Sequence, residues 1–203
     1  MPISANIPQV PYQLPGQPEI QGLNLYDRLL QERLIFLNRP VDSAIANQTI
    51  AAMLYLDAEA SDRDIRLYIN CQGVAGREAL TAGLAIYDTI QCLNNDVITV
   101  CTGVASGVST FLLTVGAPGK RFALPNARMT LSQPMHVIAE SSVSAIDIEA
   151  KELLQLRQIL AATVAQKTGH TAAKILADTE RDFYLSAQAA LDYGLIDQIV
   201  SQE

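Results

Sequence analysis

VITVCTGVASGVSTFLLTVGAPG, residues 97–119, carries no charged side chain. It is long enough to cross a bilayer, which takes about 20 apolar residues. Its interior argues otherwise: Thr99, Thr102, Ser106, Ser109, Thr110 and Thr114 are spread through it, with Gly103, Gly107 and Gly116. The β-branched start Val97–Cys101 reads as a strand, the glycines after it as a turn, and Phe111-Leu-Leu as the start of a buried helix. A strand without polar alternation, followed at once by a helix, belongs inside a parallel sheet. Working outward, Ile65–Asn70 reads as a second strand, Arg121–Ala123 and Met129–Leu131 as short ones, and Leu34–Leu37 as an apolar run after Tyr26–Arg33. Helical spacing covers about Asp42–Ala58 and Leu80–Leu93. Strands alternating with helices predict an α/β domain with a mostly parallel sheet.

The remaining composition is consistent with one such domain. Of 203 residues, 49% are hydrophobic and 17% charged, which excludes disorder over most of the chain. A net charge of −7 without basic clusters argues against a nucleic-acid partner. Cys71, Cys92 and Cys101 are odd in number and lack CxxC spacing, so neither a zinc site nor a disulfide framework is expected. Residues 1–22 hold five of the nine prolines and read as a flexible, extended leader before a single domain over 23–203. The first twenty residues contain no basic residue and no apolar core, unlike a signal or transit peptide.

A long helix is expected over about Ser144–Thr168. Ser144 and Asp147 resemble a capping box, Asp147 and Lys151 lie at i,i+4, and Gly169 supplies the stop. Such a helix is about 36 Å long, more than the radius of a compact domain. Val143, Ile146, Ala150, Leu153, Leu154, Leu160 and Val164 form an apolar stripe. Two readings fit: a helix lying across its own sheet, or an arm that packs on another subunit.

Candidate chemistry is sparse. Gly103-Val-Ala-Ser106-Gly107 has G-x-x-S-G spacing, not the G-x-S-x-G of a nucleophile elbow. A Gly-rich strand-to-helix turn still aims amides at one point, where an oxyanion could sit, and equally serves as a tight turn. Asn70-Cys-Gln-Gly73 is a second such turn, and Cys71 has no histidine near it in sequence. Asp178-Thr-Glu-Arg-Asp182 is a charged turn. His136 and His170 are the only imidazoles. No metal-ligand spacing or cofactor motif is present.

Five collinear blocks carry a family resemblance: YDRLLQERLIFLNRPVD (26–42), DIRLYIN (64–70), TAGLAIYDTI (81–90), FLLTVGAPGKRFALPNAR (111–128) and DTERDFYLSAQAALDYGLID (178–197). From Tyr26 onward the chain resembles ClpP, the proteolytic subunit of the Clp protease (peptidase family S14). The resemblance implies a ClpP/crotonase-like α/β fold of repeated ββα units. The helix near 144–168 would be its protruding handle, joining two stacked heptameric rings. It implies active ClpP subunits in a tetradecameric core and a AAA+ unfoldase of ClpC or ClpX type as partners, with no cofactor, nucleic acid or membrane.

The catalytic blocks depart from that pattern. In active members the nucleophile lies in G-x-A-A-S-M-G before F-L-L, and aligned on Phe111-Leu-Leu its place here is Gly107. The general base lies in I-H-Q-P, and here Ser132 takes its place. The third member, in D-T-E-R-D, survives as Asp182. Between Gly73 and Thr81 the chain is about four residues longer than usual, which predicts an extended loop and a disturbed oxyanion donor. These departures resemble ClpR, the catalytically degenerate paralogue of cyanobacteria and plastids. The function implied is a non-catalytic subunit completing mixed heptameric rings with active ClpP, in a cyanobacterial-type cytoplasm or a plastid stroma.

The alternative is a serine peptidase whose site is rearranged, as Ser106–His136–Asp182, or completed by a partner. Adjacent residues at a helix start diverge by about 100°, and His136 lies up to about 13 Å beyond Ser132 along an extended chain. Both work against that triad. A crotonase-type acyl-CoA enzyme fits the fold but not the five blocks. The resemblance further assigns ring contacts to Gln133, Arg181 and Asp182, and unfoldase docking to Arg66, Tyr68, Val100, Phe122, Leu124 and Val200. Arg66 stands where the family commonly has an aromatic residue.

Overall fold

The computed structural model describes residues 7–13, 20–60, 62–73, 76–135 and 142–200. Strand β1 (Gln9–Gln13) pairs antiparallel with β2 (Ile20–Asn24), so part of the leader expected to be extended and flexible over 1–22 is held in a ladder, while residues 1–6 and 14–19 lie outside the described residues. The reason is the pairing itself: a proline tolerates an edge strand, and Pro11 sits opposite Gly22. Helix α1 (Leu25–Gln31) follows, capped by Asn24 Oδ1, which accepts from the Tyr26 amide at 2.8 Å.

The sheet is built next. Strand β3 (Leu34–Leu37), helix α2 (Ser43–Glu59), strand β4 (Ile65–Cys71), helix α3 (Arg77–Cys92) and strand β5 (Val97–Ser106) lay down three parallel strands in sequence order. Alternation decides the faces of β4: Ile65, Leu67 and Ile69 are fully buried, while Arg66, Tyr68 and Asn70 point the other way. β5 does double duty. Its first half (Thr99–Cys101) pairs with β6 (Arg121–Ala123) and its second half (Val104–Ser106) with β7 (Arg128–Leu131), with helix α4 (Val108–Thr114) in between. β8 (Phe183–Ser186) runs antiparallel to β7, and β9 (Gln198–Ile199) closes the far edge beside β6. One hydrophobic core, running from Ile35 to Ile196, unites these elements.

The Gly103–Gly107 turn read from sequence requires correction. Gly103 to Ser106 continue β5, and only Gly107 turns. The register slips between Ile69 and Cys71, and Asn70 Oδ1 fills the irregularity by accepting from the Val104 amide at 3.1 Å. Gly103 is small because a Cβ there would lie 2.6 Å from that oxygen.

Helix α5 (Val143–Thr168) is the long helix, about 39 Å at 1.5 Å per residue. Its cap is Ser142, whose hydroxyl accepts from the Ala145 amide at 3.3 Å, and not Ser144; Asp147 instead pairs with Lys151 at 2.6 Å. Gly169 ends it at φ 76°, and Gly169→Ala is therefore expected to cost about 1–2 kcal/mol, read as a lowered midpoint in urea. All five buried residues, from Leu156 to Ala165, lie in the C-terminal half; Val143, Ile146, Ile148 and Leu154 are exposed. The helix thus does not lie across its own sheet, and its first half projects. α6 (Ala172–Asp178) and α4 pack against its base, and α7 (Ala187–Asp192) follows β8.

Candidate functional site

Gly107 joins β5 to α4 with φ 57° and ψ −117°, a left-handed conformation that an L side chain rarely adopts. Two backbone bonds pin it: its amide donates to the Thr130 carbonyl (3.1 Å), and its carbonyl accepts from the Phe111 amide (3.0 Å). This is the sharp, strained strand-to-helix turn of a nucleophile elbow, with glycine at its apex. A Cβ at 107 would stand 3.6 Å from Ser132 Oγ and meet nothing closer. Positions 107 and 132 therefore face each other within side-chain reach.

Both line a cavity of about 260 Å³. Ser106, Gln133 and Asp182 line it too, with Gly73, Gly76 and Leu80 and with Arg157, Leu160 and Val164 of α5. Gly107, Ser132 and Asp182, the three positions singled out in the sequence, all line this cavity. Gln133 donates to the Glu180 carbonyl at 3.2 Å. Asp182 is exposed and accepts from the Tyr184 hydroxyl at 3.4 Å. Arg181 is exposed as well.

Arg157 was not legible as a site residue. It reaches from α5 to donate to the Leu176 carbonyl (3.2 Å) and Glu180 Oε2 (2.9 Å), tying down the turn that carries Asp182. The one signal was a cation within the apolar, C-terminal half of the long helix.

The segment after Gly73 differs from expectation. Arg77–Leu80 are the first turn of α3, with Ala79 and Leu80 buried, so the stretch expected as an extended loop over Gly73–Thr81 is helical from Arg77 onward, while Val74 and Ala75 lie outside the described residues. Gly73 packs directly on β5: a Cβ there would lie 2.6 Å from the Ser106 carbonyl oxygen.

Other nucleophile and base candidates fall away from the cavity. The Cys71 thiol donates to the Arg39 carbonyl at 3.0 Å, and burial raises its pKa; burial pushes the Cys101 thiol up to about 11. Neither is a thiolate near neutrality. His170 packs edge-on against Tyr193, ring centroids 4.4 Å apart, and is not among the lining residues. His136 lies outside the described residues. Among the described residues no group of acidic, cysteine or histidine side chains is arranged to hold a metal, and no helix is long and apolar enough to cross a membrane.

The family model described as Clp protease matches residues 17–203. The chain belongs to the Clp protease family. It is 45% identical to ATP-dependent Clp protease proteolytic subunit 2 of Prochlorococcus marinus (strain NATL2A), over 99% of this chain and 98% of that one. Proteolytic subunit 3 of Synechococcus sp. (strain CC9902) is equally similar, at 45% identity over the same shares. The mixed α/β fold, with its parallel sheet and flanking helices, is consistent with that family.

The six positions expected to dock an unfoldase lie along the sheet face opposite Ile65, Leu67 and Ile69. Parallel register sets Phe36 beside Tyr68, Tyr68 beside Val100, and Val100 beside Phe122. Phe36 and Tyr68 stack at 5.3 Å, with Tyr26 edge-on to Phe36. Leu124 and Val200, at the strip's far end, are exposed, whereas Val100 is buried.

Proposed function

We propose that this chain is a non-catalytic, ClpR-like subunit of the Clp protease core, completing mixed heptameric rings with active ClpP subunits. Gly107 carries the reading. The elbow backbone is built and aimed, yet its apex holds no nucleophile, and the facing position holds Ser132 in place of an imidazole. A serine hydroxyl cannot act as the proton acceptor that an attacking alcohol needs near neutrality. Asp182 then keeps its place through ring contacts, with Gln133 and Arg181. The projecting first half of α5, with Val143 and Ile148 more than 60% exposed, supports assembly through that helix.

Co-expression with an active paralogue tests the assembly directly. Purified through a tag on this chain, the complex is expected to give native masses of mixed rings. A chain recovered only with copies of itself, and cleaving peptides, would favour a rearranged peptidase site. Asp182→Arg, placed on an exposed turn, is expected to leave the subunit folded and shift the sedimenting species from double to single rings. Unchanged sedimentation would remove the ring-contact role.

A further inference from the structure

Beside the N-terminal end of β4 lies a second cavity, of about 500 Å³, lined by Glu32, Arg33, Asp62, Arg63, Asp64 and Arg66. Three acids and three arginines line it, and two of the acids are held by cations outside it. Glu32 is paired outside it with Arg28 (2.6 Å), and Asp64 with Lys120 (2.7 Å). Arg63 and Arg66 are exposed, and their guanidinium groups pair with no described side chain. Asp62 is the one carboxylate of the six without a cation of its own.

Arg33 adds an independent observation. Its side chain is only 3% exposed, and its Nη1 has no hydrogen-bond partner; the nearest carboxylate oxygen, of Glu59, is 3.9 Å away. It is held there by donating through Nε to the Asp64 carbonyl (3.2 Å) and through Nη2 to the Ala60 carbonyl (3.3 Å). Its backbone sits at φ 65°, where glycine is the ordinary choice. A buried guanidinium with spare donor capacity, beside two unpaired arginines, favours an oxyanion in a protein whose net charge is −7.

The cavity is continuous with the aromatic strip. Arg66 and Tyr68 are two residues apart on β4 and share one face, and the Arg66 amide donates to the Arg33 carbonyl at 2.9 Å. We infer that this subunit docks a partner segment in which a carboxylate side chain adjoins an apolar one, the carboxylate seated among Arg33, Arg63 and Arg66 and the apolar residue on Phe36 and Tyr68. Arginine in place of an aromatic residue at 66 thus changes what the docking face selects, from an apolar loop to an acidic-apolar one. The inference rests on reading that face as a docking surface.

Fluorescence anisotropy on the full-length chain tests it, with two labelled decapeptides as probes: one centred on Glu-Glu-Leu-Phe, the other on Gln-Gln-Leu-Phe. The acidic peptide is expected to bind about ten-fold more tightly at low salt, with the preference shrinking as salt rises. Arg63→Gln with Arg66→Gln, both at exposed positions, is expected to abolish the preference, and Tyr68→Ala to weaken both peptides. Equal binding of the two peptides would overturn acid recognition while leaving the apolar docking face standing. Binding of neither would overturn both, and a preference surviving in the double arginine variant would place the acidic contact elsewhere.

Discussion

Purified alone, the chain is expected to hydrolyse a fluorogenic peptide no faster than buffer, and neither Gly107→Ser nor Ser132→His is expected to change that singly. Losing either nucleophile or base from a serine triad costs about 10⁶ in turnover, and each single substitution leaves one of the two missing. The double substitution is different. A Cβ at 107 has open space and points at position 132 from 3.6 Å, so the serine fits and meets its base. The fit is strained: φ 57° at a residue with a side chain costs about 1–3 kcal/mol. The double variant is expected to acquire a serine reactive to fluorophosphonates, and to turn over peptide slowly. Its rate should stay at or below about a hundredth of an active subunit's, because one misplaced oxyanion donor alone costs about 10²–10³. The lengthened connection after Gly73 is where such a donor is expected to be lost. Deleting Val74–Leu80 does not repair it, since that removes the first turn of α3 and the buried Ala79 and Leu80.

The second large effect concerns stability. Arg121 is almost fully buried and forks onto Asp197, with Nε to Oδ2 at 2.9 Å and Nη2 to Oδ1 at 2.5 Å. Its remaining nitrogen donates to the carbonyls of Gly194 (2.9 Å) and Lys167 (3.1 Å), so one side chain joins β6, the end of α5 and the approach to β9. Arg121→Met leaves a carboxylate and two carbonyls without that donor and is expected to cost about 3–5 kcal/mol in urea unfolding. A loss under about 1 kcal/mol would mean the guanidinium ties nothing together.

The same pair sets an acid limit. Burial works to raise the Asp197 carboxyl pKa, but the Arg121 guanidinium and amide outweigh it and hold it below the usual carboxylate range. A carboxyl lowered on folding contributes stability that is complete above its unfolded value, about 3.9, and is lost as pH falls through the folded value. Wild type should therefore lose stability steeply below about pH 4. Asp197→Asn should start lower and fall less over that range.

How far the residues alone could be read follows from what each pattern encodes. The uncharged run 97–119 was legible as strand and helix because β-branched residues and Phe-Leu-Leu encode local geometry. Its glycines were not sorted: Gly103 answers to the Asn70 side chain across a strand, a contact that sequence does not display, while Gly107 alone answers to its own backbone. Ser142 in place of Ser144 as the α5 cap is a boundary shift of two residues, within the ordinary imprecision of helix ends. The projecting half of α5 was left between two readings because an apolar stripe looks the same whichever surface it serves. At the site, Gly107, Ser132 and Asp182 could be located only through aligned family blocks, since they are about 25 and 50 residues apart in the chain. Arg157 and the Arg33 cavity escaped because their partners are backbone carbonyls and a carboxylate 23 residues away in the chain, which leave no motif.

The central claim, that this subunit supplies no nucleophile, is tested most directly inside the assembled complex. Mixed rings are treated with a fluorophosphonate, and the intact mass of every subunit is then measured. The account predicts one adduct on each active paralogue and none on this chain. An adduct on this chain mapped to Ser106 or Ser132, and abolished by its alanine variant, would contradict the account and install a rearranged serine site in its place.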